Sequence, residues 1–104
     1  MTHWARETSG TSFAVRSLAN GLRNSVRLEL LQQGVERETR NLCERQCRAV
    51  ANYLQRFVEH SPAEAYFTCT VKGSVNQGAQ HITVHISSEP DRYAIKQPEQ
   101  GAAA

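Results

Sequence analysis

The side chains with the most evident chemistry are arginines. Of twelve lysines and arginines in the 104-residue chain, only Lys72 and Lys96 are lysines. Arg16, Arg23, Arg27, Arg37, Arg40, Arg45, Arg48 and Arg56 share one stretch with Glu29, Glu36, Glu38 and Glu44, which gives that stretch +4 in a chain of net charge +2. A guanidinium offers a planar fork of donors that fits two phosphate oxygens at once. Phosphate recognition, and through it nucleic-acid binding, is the chemistry this pattern points to. A solvated helix face of alternating charge is the plainer reading of the same residues.

Metal binding and catalysis find weaker footing. Cys43 and Cys47 have the i, i+4 spacing of two ligands on one helix face. They also fall on an apolar stripe with Val50 and Leu54, where cysteine acts as a small hydrophobe, and core packing is the favoured reading. A disulfide between them would span one helical turn and constrain almost nothing. The three cysteines, an odd number, are read as reduced thiols, which fits a cytosolic protein. His81 and His85 fall in a strand pattern, which sets them roughly 13 Å apart, too far for one small ion. The sequence has no G-x-S-x-G, P-loop or Gly-rich phosphate fingerprint. The expectation is no enzyme, no cofactor, no metal and no small-molecule substrate.

The elements that must position these residues follow from periodicity. Length implies one domain. No apolar run approaches a membrane span, and the N-terminus lacks the apolar middle of a secretory signal. A short strand is expected over 3–7, and a loop over 8–12 whose hydroxyls cap the next helix. Phe13, Val15, Leu18, Ala19 and Leu22 predict a helix over 12–23. Val26, Leu28 and Leu30 alternate with Arg27 and Glu29 as in a strand over 26–30, although Leu-Glu-Leu-Leu-Gln-Gln is also a good helix former. A long helix is expected over 36–60, stopped by Ser61-Pro62. Alternation over 65–71 and 81–87, with turn-like residues over 73–80, predicts an antiparallel hairpin. His60 suits the C-terminal end of the long helix as a favourable cation.

The segment Ser12-Phe13-Ala14-Val15-Arg16-Ser17-Leu18-Ala19-Asn20-Gly21-Leu22-Arg23, the run Val26-Arg27-Leu28-Glu29-Leu30, the stretch Gln46-Cys47-Arg48-Ala49-Val50 and the closing 76–90 run ending in Glu89-Pro90 occur in that order. In this order and in size the chain resembles the Alba superfamily, and especially its bacterial stage V sporulation protein S branch. The resemblance implies a small two-layer α+β domain of β-α-β-α-β-β order. Its mixed four-stranded sheet would carry two helices on one face, an arrangement shared in outline with the C-terminal domain of translation initiation factor three. It implies a single Alba-like domain over 1–90, a polar C-terminal tail over 91–104, and a two-fold homodimer.

The functional expectation is a dimeric, cytosolic protein that binds RNA or DNA with low sequence specificity, in a regulatory role. The nucleic-acid-binding residues would be Arg6, Arg37, Arg40, Arg45, Arg48, Lys72, Asn76 and Gln77. Arg37 and Arg40 stand where the dipole of the long helix favours phosphate. Arg6 stands with the hydroxyls of the loop before the first helix. Lys72, Asn76 and Gln77 stand in the hairpin. The competing expectation is a protein–protein adaptor with no nucleic-acid affinity, which Glu36, Glu38 and Glu44 favour by repelling phosphate.

Overall fold

The computed structural model describes residues 1–76 and 78–89. The element order is β1 (Thr2–Gly10), α1 (Ser12–Gln32), α2 (Arg37–Glu59), β2 (Tyr66–Asn76) and β3 (Ala79–Glu89). The three strands form one antiparallel sheet of order β1-β2-β3, and the two helices cover one of its faces. This corrects the expected order: the chain is α+β in two layers, but β-α-α-β-β with a three-stranded antiparallel sheet. The mixed four-stranded sheet and the Alba-like topology are not what it adopts.

The missing strand is the 26–30 run, which continues α1. Val15, Ala19, Leu22, Val26 and Leu30 are all buried, at spacings of 4, 3, 4 and 4, so one helical stripe runs unbroken through the segment. A strand would have sent Leu28 inward with Val26 and Leu30; here Leu28 is 52% exposed. Local propensity agrees, because Arg27, Leu28, Glu29, Leu30, Leu31 and Gln32 are straight-chain or leucine helix formers. The helix closes on Gly34, whose φ of 75° suits glycine. The Gly34 amide donates to the Leu31 carbonyl at 3.1 Å and the Val35 amide to the Leu30 carbonyl at 3.0 Å. This paired closure satisfies the last carbonyls and turns the chain into α2.

The long helix and the hairpin form as expected. Thr39, Cys43, Cys47, Leu54 and Val58 are the buried positions of α2. At its end the Ser61 hydroxyl donates to the Phe57 carbonyl at 2.7 Å, just before Pro62. The hairpin strands are longer than the alternation suggested. Residues 73–76, expected in a turn, continue β2, and 8–10, expected in a loop, continue β1.

Strand parity separates the two faces of the sheet. Phe67, Cys69, Val71, Gly73 and Val75 of β2 face the helices, as do Trp4, Arg6 and Thr8 of β1 and Ile82, Val84 and Ile86 of β3. Trp4 pairs with Gly73 across the strands and lies over it: a Cβ built on Gly73 would be 2.1 Å from Trp4 Cε2. The indole Nε1 donates to Gln80 Oε1 at 2.9 Å, and Gln80 Nε2 donates to Gln46 Oε1 at 2.6 Å. One aromatic side chain thereby ties β1 to β3 and, through Gln80, to α2.

Candidate nucleic-acid interface

The two helices lie antiparallel and make rungs across their outer seam. Arg27 Nε approaches Glu44 Oε1 at 3.4 Å, Gln55 Nε2 donates to Asn20 Oδ1 at 2.9 Å, and Arg16 Nη1 lies 4.0 Å from Glu59 Oε1. One turn along from Arg27 on α1 is Arg23; one turn along from Glu44 on α2 is Arg48. The antiparallel register therefore sets Arg23 and Arg48 across the seam from one another, between two bonded rungs. Both are exposed, and neither forms an ion pair with another described residue. Two guanidiniums on one seam with no carboxylate between them are an arrangement that an anion stabilises.

Charge is segregated by layer. α1 and α2 together hold eight arginines and four glutamates, while the strands hold Arg6 and Lys72 against Glu7 and Glu89. The helical layer thus carries +4 and the sheet is neutral. The uncovered sheet face is rich in hydroxyls and imidazoles: its rows include His3–Ser74–His81, Glu7–Thr70–His85 and Ser9–Thr68–Ser87. Thr68 Oγ1 and Ser87 Oγ are hydrogen-bonded at 2.8 Å.

The eight residues singled out from the sequence are dispersed. Arg45 and Arg48 are exposed on the helical layer, and Arg37 is exposed in the first turn of α2. Arg40 is occupied at the start of α2, its Nη1 donating to the Val35 carbonyl at 2.5 Å. Arg6 faces the helices and is locked there: Nη2 pairs with Glu29 Oε1 at 2.9 Å and Nε donates to Ser25 Oγ at 3.2 Å. Lys72 projects from the opposite, uncovered sheet face; it shares with Arg6 only an open depression of about 350 Å³ at the β1 edge. Asn76 lies at one end of the domain beside Gly34, Val35 and Glu36. Gln77 is outside the described residues, as is the stretch 90–104 that contains the expected tail.

Sequence reasoning placed Arg23 at the end of a helix and so missed it. The signal was present: Arg16, Arg23 and Arg27 are spaced by 7 and 4, which keeps them on one flank of a continuous helix.

The thiols lie away from this surface. Cys43, Cys47 and Cys69 are free and buried, and burial raises the pKa of each. A thiol held protonated and covered does not react. An aromatic-disulfide titration at pH 8 is expected to find no fast thiol in the folded protein and three in denaturant. A native thiol reacting at the free-cysteine rate would contradict the packing. Among the described residues, no group of three or more His, Cys, Asp or Glu side chains is placed to hold a metal ion, and no helix is long and apolar enough to cross a membrane.

No protein-family model, no curated protein and no solved structure matches this chain.

Proposed function

We propose that this protein binds RNA or DNA with low sequence specificity through the outer face of its helical layer, acting as a homodimer in the cytosol. The observation that carries the reading is the confinement of net positive charge to that layer, with Arg23 and Arg48 placed on opposite sides of the helix seam without a carboxylate partner among the described residues. Arg37, Arg45 and Arg56 extend the same exposed surface. Arginines at helix spacing reach a row of phosphates and read no base edges, so affinity is electrostatic and sequence-tolerant. Arg27 and Arg16 sit on the flank as well, each with a surface carboxylate partner; such pairs contribute only about 0–1 kcal/mol and are readily exchanged for phosphate.

Anisotropy titrations of a labelled single-stranded RNA and a labelled duplex DNA, from 50 to 300 mM KCl, test this. The logarithm of affinity is expected to fall linearly with the logarithm of salt. The pair Arg23→Glu and Arg48→Glu is expected to weaken binding at least about tenfold and to lower the salt slope by about 2, one phosphate contact for each arginine. Lys72→Glu, on the other face, is expected to change binding less than twofold. A folded double mutant with unchanged affinity would move the site elsewhere. Failure of the wild-type protein to bind either polymer would favour the adaptor reading.

A further inference from the structure

α1 has a second exposed face, and it is uncharged. Phe13, Ser17, Gly21, Asn24, Leu28 and Leu31 recur at spacings of 4, 4, 3, 4 and 3, so they form one stripe along the helix. This stripe is opposite the buried one of Val15, Ala19, Leu22, Val26 and Leu30. Phe13 is 78% exposed, Leu28 52% and Leu31 53%. Three of the five large exposed apolar residues among those described are therefore on one side of one helix.

Gly21 adds an independent observation. Glycine inside a helix disfavours it about fivefold relative to alanine. Nothing among the described residues requires one here, since a Cβ at this position meets no atom of theirs within 4 Å. An atom approaching from outside the chain would make sense of it.

We propose that this stripe is a two-fold interface with a second copy of the chain, α1 packing antiparallel on α1. The pattern is self-complementary in that register. Phe13 falls opposite Leu31 of the second copy, an apolar pair at each end, while Leu28 meets Ser17 and Asn24 meets Gly21, so small side chains occupy the middle and the glycine lies near the axis, where the backbones come closest. The face holds no charge to bury. Its size sets the strength: 21 residues span about 31 Å at 1.5 Å each, and a strip about 10 Å wide covers a few hundred Å² per copy. That is below the roughly 800 Å² per partner of a standard interface, so the dimer is a weak, concentration-dependent one.

The inference rests on the proposed function in naming what the dimer serves. A two-fold axis perpendicular to both helices places like flanks side by side. Arg16, Arg23 and Arg27 of each copy then open on the same side, and the two basic seams become one strip. Those flanks repel, so salt or a polyanion strengthens the dimer, which is opposite to the effect of salt on nucleic-acid affinity.

Sedimentation velocity on the full chain from 1 to 200 μM, at 150 and 500 mM KCl, is the test. The wild type is expected to shift from monomer to dimer, at lower concentration in the higher salt. Leu28→Glu with Leu31→Glu is expected to stay monomeric throughout. Gly21→Ala is expected to melt at or above the wild-type temperature while weakening the dimer severalfold, which keeps the test decisive if the double mutant does not fold. A nitroxide on Asn24→Cys is expected to give a short inter-copy distance, the native thiols being buried. A wild type monomeric at every concentration and salt, or a folded Leu28→Glu/Leu31→Glu dimer, would overturn the interface. If such a monomer still binds polyanion through Arg23 and Arg48, the interface and the homodimer fail while the nucleic-acid site stands. If the stripe dimer forms and binds no polyanion, only the nucleic-acid reading fails.

Discussion

Replacing Gly73 by alanine is expected to lower the melting temperature by about 15 °C, on the order of 3 kcal/mol for a domain this size. The new methyl group would lie 2.1 Å from Trp4 Cε2, 2.2 Å from Nε1 and 2.4 Å from Cζ2. Those are atoms of a rigid ring that is 97% buried, 3% being exposed, so no flexible side-chain end can yield. Moving the indole uncovers apolar area and breaks the bond to Gln80, which in turn holds Gln46 on α2. Circular-dichroism melts of the wild type, Gly73→Ala, Trp4→Leu and the double mutant would resolve the cause. Trp4→Leu alone should also be strongly destabilising. In its background Gly73→Ala should cost little, because the clash partner is gone. A Gly73→Ala melt within about 3 °C of the wild type would show that the ring and strand do not pack as described.

Stability is expected to fall steeply above pH 9, with Cys47 a main contributor. Burial, chiefly, pushes the Cys47 thiol up to about 12; Cys43 beside it adds to the shift, Arg6 opposes it and Glu44 adds a little. In the unfolded chain the thiol titrates near its ordinary value of about 8.5. Above that pH the unfolded state releases a proton that the folded state keeps, so this contribution is complete below about pH 8.5 and is lost as pH rises towards 12. The loss is up to about 1.4 kcal/mol per pH unit from this one group. Cys43 and Cys69 shift in the same direction through burial. Urea unfolding at intervals from pH 7.5 to 10.5 should show Cys47→Ala less stable than the wild type at neutral pH, because it leaves a small cavity. The two stability curves should then converge as pH rises. Parallel curves would show that the Cys47 proton does not carry the alkaline loss.

The parts of the fold legible in the sequence are those where one periodicity excludes the other. α2 carries a helical stripe over six turns with Ser61-Pro62 as a stop, and the hairpin alternates cleanly around Lys72 and His81. The 26–30 run was ambiguous because Val-Arg-Leu-Glu-Leu satisfies a period of two and also extends 15, 19, 22 by 26 and 30. The length of the stripe decides it, and a five-residue window cannot show that. Gly73 looked like a turn residue because glycine usually punctuates; here it is a strand residue that makes room for a ring 69 positions earlier. The candidate site suffered from the same error. Once 26–30 is helical, Glu29 and Ser25 reach Arg6 and occupy its guanidinium, while Arg23 moves from a helix end to mid-seam. Lys72 was separable from the arginines by parity alone, since it alternates with Val71 and Gly73, which face the helices.

The strand register has a consequence for biosynthesis. Gly10 pairs with Phe67 and Thr2 with Val75, so β1 waits 57 to 73 residues for its partner. At about 5–20 residues per second that is several seconds on the ribosome. The α1–α2 hairpin, built from near neighbours, can assemble during this interval, whereas closing the long loop to β1 is entropically slow. A nascent chain therefore exposes Trp4 and an unpaired strand edge until β2 emerges. β1 precedes both helices in the chain yet is latched after them, so the sheet closes onto a helical layer that is already in place.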